Sequence, residues 1–137
     1  MIKMLWLHDF RKTQHGQAVV EMALVLPILI MLVFGIIEFG RILNTYMTVT
    51  NISREGAREG AVGGTDAEII DAVEMGASLD ASLLNIEIDP ISASPRSRGS
   101  SVTVVVSYDV DIIAPIIGNL IGDPYTVRAQ TTMRVEG

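Results

Sequence analysis

From Ala18 to Ile37 the chain is apolar with a single interruption. Residues 18 to 37, AVVEMALVLPILIMLVFGII, hold one charged side chain, Glu21, in 20 positions. At about 1.5 Å per residue, such a run spans roughly 30 Å as a helix, the thickness of a bilayer's hydrocarbon core. The helix is predicted to continue to about residue 62 and to change character on the way. Phe39, Ile42, Leu43, Tyr46, Val49 and Ile52 recur at three- and four-residue steps, with Arg41, Asn44, Thr48 and Asn51 between them. The second half therefore presents a stripe that needs a partner surface, and it should dock on the later part of the chain. Gly60, Gly63 and Gly64 supply the stop, because glycine accepts the left-handed geometry of a helix C-terminus. Gly35 and Gly40, inside the helix, weaken a soluble helix but are common in membrane helices, where they permit close contact.

A second, short helix starts at Thr65 and Glu68, a capping-box spacing in which each side chain satisfies a free backbone N–H. Ile69, Ile70, Val73 and Ala77 form its buried face, and it fades by Leu84. The rest reads as strands. Asn85 to Ile91 is a brief one stopped by Pro90, and SPRSRGSS (Ser94 to Ser101) has turn chemistry. Ser101 to Asp111 and Tyr125 to Val135 alternate with period two: Val102, Val104, Val106, Tyr108 and Val110 share one face of the first, and Tyr125, Val127, Ala129, Thr131, Met133 and Val135 one face of the second. The apolar connection IIAPIIGNLIGDP between them reads either as a short helix or as a surface loop packed on something. The predicted fold class is α+β: a long N-terminal transmembrane and amphipathic helix, then a small head with a short helix and an antiparallel sheet of about three strands. The parts are a leader at 1–16, the long helix at 17–62 with its membrane span at about 18–37, and the head at 63–137.

Charge adds an orientation. Lys3, Arg11 and Lys12 against Asp9 leave +2 before residue 17, and seven Arg against fifteen acids leave −8 after it, for the net −6. Positive charge before an apolar span points to a cytoplasmic N-terminus and an exterior head. An acidic head also argues against nucleic acid as a partner, since neutralising phosphates needs a basic patch. The length, 137 residues, bounds the chain to one domain, and its mean hydropathy of +0.41 belongs mostly to the one apolar run.

Little catalytic chemistry is on offer. With no Cys there is no disulfide framework, thiolate zinc site, iron–sulfur cluster or thiol catalysis. Both histidines, His8 and His15, fall in the leader, which leaves no Ser-His-Asp or Cys-His centre after it. Asp66, Glu68, Asp71 and Glu74 read as a solvated helix face whose early acids favour the helix dipole, in preference to a cation site. GAVGGTD lacks the Lys-Ser/Thr of a phosphate-binding loop and follows no strand. The expectation is a protein with no enzymatic activity, cofactor or metal.

Glu21 is the polar residue that stands out. Near the centre of a membrane helix an ionised carboxylate costs about 2.5 kcal/mol or more, and less toward an end. By itself it is read equally well as a side chain snorkelling at the cytoplasmic boundary or as a functional group with a partner. Its surroundings separate the two. A short basic leader ends in Gly16, Gln17 comes next, Glu21 is the fifth residue after the glycine, and the apolar run continues from there. This order resembles the class III (prepilin) signal cut by prepilin peptidase.

The likeness extends. HGQAVVEMALVLPILIMLVFGIIEFGR (His15 to Arg41), with Pro27 inside and Glu38-Phe39-Gly40-Arg41 at its exit, is similar to the N-terminal helix of the TadE-like family, minor pseudopilins of the Tad (Flp, type IVb) pilus system. SREGAREGA (Ser53 to Ala61) resembles the Ala/Arg/Gly-rich stretch that comes next in such proteins, and the final TTMRVEG is more loosely similar. Met22 departs from the aromatic residue that major Flp pilins have after the Glu, and the roughly 75 residues beyond the helix exceed a major pilin. Both point to a minor pseudopilin.

The resemblance implies cleavage between Gly16 and Gln17, often with N-methylation of the new amine, and pairing of the Glu21 carboxylate with a neighbouring subunit's amine during assembly. It implies as partners prepilin peptidase, other pilins or pseudopilins, the Tad assembly machinery and membrane lipid, and as location a bacterial or archaeal-type cell membrane crossed once. The function implied is assembly of a pilus used in adhesion or secretion. The rival reading is an unprocessed, signal-anchored envelope protein whose exterior head binds a partner. Pro27 removes one backbone hydrogen bond and kinks or loosens a turn, which serves exit from the bilayer or filament packing, or is structurally neutral. Glu38 and Arg41 are expected to form an i,i+3 pair at the outer interface.

Overall fold

A computed structural model of the chain describes residues 13–91 and 96–136. Most of the leader, His8 included, the side chain of His15, and the first two residues of the predicted SPRSRGSS turn lie outside the described residues. Helix α1 (Thr13–Ala61) is continuous for 49 residues and passes through Pro27. Two compact units divide inside it, between Ile37 and Glu38. In the first, every residue from 16 to 37 except Gly35 is exposed. The apolar window of the helix is long enough to cross a membrane, and none of it is buried in the protein.

The second unit carries α1 from Glu38 onward, α2 (Asp66–Gly76), a 3-10 turn at Ala81–Leu83, β1 (Leu84–Asp89), β2 (Ser101–Val110), α3 (Pro115–Ile121) and β3 (Tyr125–Arg134). The three strands form an antiparallel meander in the order β1-β2-β3, with Val105 of β2 opposite Glu87 of β1 and Gln130 of β3. The period-two valines of β2 do what alternation predicts: Val102, Val104, Val106 and Val110 are buried on one face. Ile69 and Val73 of α2 and Val49 and Ile52 of α1 complete that core. Burying each such side chain stabilises by about 1.5–3 kcal/mol. The architecture is the predicted α+β, and the apolar connection resolves as the short helix α3.

Local chemistry explains the ends. α1 stops in a Schellman turn, with Gly64 N–H donating to the Glu59 carbonyl at 3.1 Å, Gly63 N–H to the Gly60 carbonyl at 3.1 Å, and Gly63 at φ +95°. The Thr65–Glu68 capping box is complete at the start of α2. That helix ends at Gly76, earlier than the sequence suggests, with Ala77 as its C-cap. Glu136 N–H donates to the Ala61 carbonyl at 2.8 Å and ties the chain's last described residue to the end of α1.

The docking face of α1 differs from the predicted stripe. Val49 and Ile52 are buried, but Phe39, Leu43 and Tyr46 are exposed and line a groove beside Tyr125 and Arg128 of β3. The face turned to the core holds Glu38, Thr45, Ser53, Gly56, Ala57 and Gly60 instead. The reason is distance: the helix lies so close to β2 and α2 that a Cβ at Gly56 would sit 2.6 Å from Val73 Cγ2, and one at Gly60 would sit 2.9 Å from Val102 Cγ1. Small residues admit that approach and large ones do not. Ser53, fully buried, joins its hydroxyl to that of Thr131 on β3 at 2.9 Å. The SREGAREGA stretch thus divides by face, with Ser53, Gly56, Ala57 and Gly60 inward and Arg54, Glu55 and Arg58 outward. The outward Glu55–Arg58 hydrogen bond holds the Glu55 carboxyl below its ordinary range.

Candidate functional site

The residues singled out by the sequence, Gly16, Gln17, Glu21 and Pro27, all lie in the exposed first unit of α1. Because the helix begins at Thr13, the Gly16–Gln17 peptide is already in helical geometry. A Cβ at Gly16 would meet nothing within 4 Å. Glu21 follows Gln17 by four positions, which puts the two on one face about one turn apart. Its neighbours Ala18, Met22, Val25, Leu26 and Leu29 line a shallow recess whose only charged member is Glu21. Among the described residues Glu21 has no hydrogen-bond or ion-pair partner.

The chemistry available there is narrow and specific. An anionic side chain in an apolar strip, with no partner among the described residues of its chain, is stabilised by a cation brought close to it, because an unpaired ion in low dielectric is costly. Pro27, six residues further on, has no N–H to offer the Ala23 carbonyl, so the helix loses one bond within this strip without breaking.

Two polar residues carry more structure than the sequence shows. Glu38, only 2% exposed, receives Arg41 Nη1 on Oε1 at 2.7 Å, the expected i,i+3 pair. Its other oxygen, Oε2, accepts the Ile113 backbone N–H at 3.1 Å, and Arg41 Nη1 also donates to the Asp111 carbonyl at 3.3 Å. Glu38 therefore fastens the connection after β2 to α1. The pair was legible from its spacing; a backbone partner 75 residues away was not. Arg96, from the turn segment, is buried, and its guanidinium donates to the Gly64 carbonyl at 2.7 Å, the Pro90 carbonyl at 3.0 Å and the Asp66 carboxylate.

The acidic cluster is dispersed into these structural tasks. Asp66 meets Arg96, while Glu68 accepts the Thr65 N–H at 2.7 Å and the Thr65 hydroxyl at 2.9 Å, bonds that hold its carboxyl below the ordinary range. Asp71 and Glu74 are exposed. Among the described residues no group of three or more His, Asp or Glu side chains is placed to hold a metal ion.

Comparison with known proteins bears on the same helix. No curated protein and no solved structure gives a match to the chain. The family described as TadE-like protein matches residues 16–58, the stretch that runs from Gly16 through Glu21, Pro27 and Glu38 to the inward glycine Gly56. The match covers less than half of the chain, and over that segment, which holds every one of the residues singled out for assembly, the chain is similar to the TadE-like family.

Proposed function

We propose that this chain is a minor pseudopilin required for assembly of a Tad-type (Flp, type IVb) pilus. The TadE-like segment implies involvement in the Tad pilus system. The finer reading is that prepilin peptidase cuts between Gly16 and Gln17, that the head stands outside a membrane crossed once by α1, and that the subunit acts by packing with other pilins and the Tad machinery and not as an enzyme.

The observation that carries this reading is Glu21: an exposed carboxylate at the head of an apolar helix, with no partner among the described residues of its own chain. Cleavage after Gly16 creates an ammonium at Gln17, four residues from that carboxylate in sequence. One subunit's new amine then supplies the charge that another subunit's Glu21 lacks, in surroundings where an unpaired ion is costly. The intact leader denies the chain that amine, so processing and pairing are coupled.

The test is Glu21→Ala in the native host. The variant enters the membrane as well as the parent or better, because the substitution removes the costliest group from the span. Pilus assembly is lost or sharply reduced. Normal piliation with a stably inserted variant would make Glu21 a bystander at the membrane boundary and overturn the proposal.

A further inference from the structure

The sheet of the head has two outer edges, and its register says which backbone groups they offer. Val135 N–H donates to the Ser100 carbonyl at 2.8 Å, and antiparallel strands bond to a given neighbour through alternate residues. By that alternation the N–H and C=O groups of Thr126, Arg128, Gln130, Thr132 and Arg134 turn away from β2. Among the described residues nothing accepts from them or donates to them. On β1 the bonds to β2 fall to Asn85, Glu87 and Asp89, and the backbone of Ile86 and Ile88 faces out, likewise without a partner among the described residues. A ten-residue edge with neither proline nor bulge is a template for another strand.

Side-chain chemistry selects the strand. The outer face of β3 carries Arg128 and Arg134 and no acid, and that of β1 carries Glu87 and Asp89 and no base. The inner face of β1 is Leu84, Ile86 and Ile88, half-buried against the core. Beside the start of β3, on the side where α1 packs, lies the groove in which Phe39, Leu43 and Tyr46 are 67%, 45% and 50% exposed, with Tyr125 at its rim. Both outer strands are antiparallel to β2 and therefore run parallel to each other. In a parallel pair, a residue bonded to the partner strand stands beside one that is not, on the same face. The open groups of β3 belong to its outer-face residues and those of β1 to its inner-face residues, so a parallel join keeps polar beside polar and apolar beside apolar. An antiparallel join would bring the isoleucines out onto the polar face.

We infer that β3 takes β1 of a second copy of this chain as the next strand of its sheet, in parallel. The register that fills the groove sets the second copy's Glu87 beside Arg128. Arg128 N–H then donates to the second copy's Ile86 carbonyl, and the Arg128 carbonyl accepts the N–H of the second copy's Ile88. The second copy's Leu84 and Ile86 come beside Tyr125 and Val127, where the groove receives them. Arg128 already meets Glu87 of its own chain at 3.2 Å across β2, and gains a carboxylate on its other side. Each copy keeps one β1 edge and one β3 edge, so the contact repeats head to tail without closing, the kind of interface that builds a filament. Neither cleavage at Gly16 nor the role of Glu21 enters this contact.

The absence of cysteine makes the test direct. In that register the second copy's Asn85 stands beside Thr126, and both positions are exposed. Within one chain the two are at least two strand spacings apart, about 10 Å, beyond the roughly 7 Å that a disulfide can bridge. The full chain carrying Asn85→Cys and Thr126→Cys, in detergent with micelles in excess over protein, is expected to oxidise to a ladder of covalent dimers, trimers and longer forms. A mixture of the two single variants should give a dimer alone. On the double-cysteine background Glu87→Arg should lower the yield several-fold, and Glu87→Arg with Arg128→Glu should restore it. A double-cysteine chain that stays monomeric while amide exchange shows a folded head overturns the inference. So does an efficient dimer from Gln130→Cys alone, which would mean that β3 meets β3. A second readout uses no cysteine: in sedimentation the parent chain should associate, and Arg128→Glu should weaken that association several-fold. A parent chain that is monomeric throughout the concentration series also overturns it.

Discussion

The small-residue face of α1 makes a quantitative prediction. In Gly56→Ala the new Cβ would stand 2.6 Å from Val73 Cγ2 and 3.3 Å from Val104 Cγ1. Carbon atoms in contact prefer about 3.5–4.0 Å, so the overlap with Val73 approaches about 1 Å. Val73 and Val104 are completely buried and have nowhere to swing, so α2 or the sheet must move. Overpacking of this kind costs about 1–3 kcal/mol, and the severity of the clash places Gly56 at the upper end. Replacing glycine by alanine inside a helix returns about 1 kcal/mol, which leaves a net loss of about 2 kcal/mol. Gly40→Ala is the built-in control: its Cβ would meet nothing within 4 Å, so only the gain in helix propensity applies. The assay is amide hydrogen exchange at Val104 and Val106 of β2 in the full chain in detergent micelles, since exchange in a core strand reports opening of the whole head. Exchange should be about 30-fold faster in Gly56→Ala than in the parent, from about 1.4 kcal/mol per tenfold, and no faster in Gly40→Ala. Equal rates in the two variants would refute the claim that close approach selects these glycines.

The polar contacts yield further expected outcomes. Arg96→Ala removes a buried guanidinium from two carbonyls and from Asp66, and should destabilise the head by about 3 kcal/mol, read as a lower thermal midpoint. Arg96→Lys should not restore it, because one ammonium cannot reproduce the planar fork that spans these acceptors. Glu68 titrates below its ordinary value of 4.5 when folded, first because of the Thr65 N–H and then its hydroxyl. Its stabilising contribution is therefore complete above pH 4.5 and is lost as pH falls through the lowered folded value. Exchange protection in the first turn of α2 should fall over that acid range in the parent and show a flatter dependence in Glu68→Gln.

What the sequence made legible was local. The apolar run, Glu21 within it, the Thr65–Glu68 cap and the alternation of β2 each depend on residues a few positions apart, and propensity and periodicity register such patterns. The amphipathic half of α1 misled because hydrophobicity ranks Phe39, Leu43 and Tyr46 as core, whereas the packing distance to β2 and α2 selects glycine, alanine and serine. That distance is set by β2, whose Val102 and Val104 are more than 40 residues away in sequence, and no local pattern in α1 encodes it. Arg96 was hidden for a related reason. Ser/Arg/Gly composition reads as a solvated turn, and the groups that draw its side chain inside, Gly64 and Asp66, are about 30 residues earlier. Glu21 is the reverse case: it was legible because it is the one charged side chain in the apolar run of residues 18 to 37, a pattern that its near neighbours alone define.

The role proposed for Glu21 depends on whether the chain is processed. Intact mass of the protein isolated from its native host decides this most directly. Cleavage after Gly16 predicts a mature chain of 121 residues, 137 less 16, beginning at Gln17, with or without one added methyl group. Recovery of the full 137-residue chain from cells with an active prepilin peptidase would contradict it.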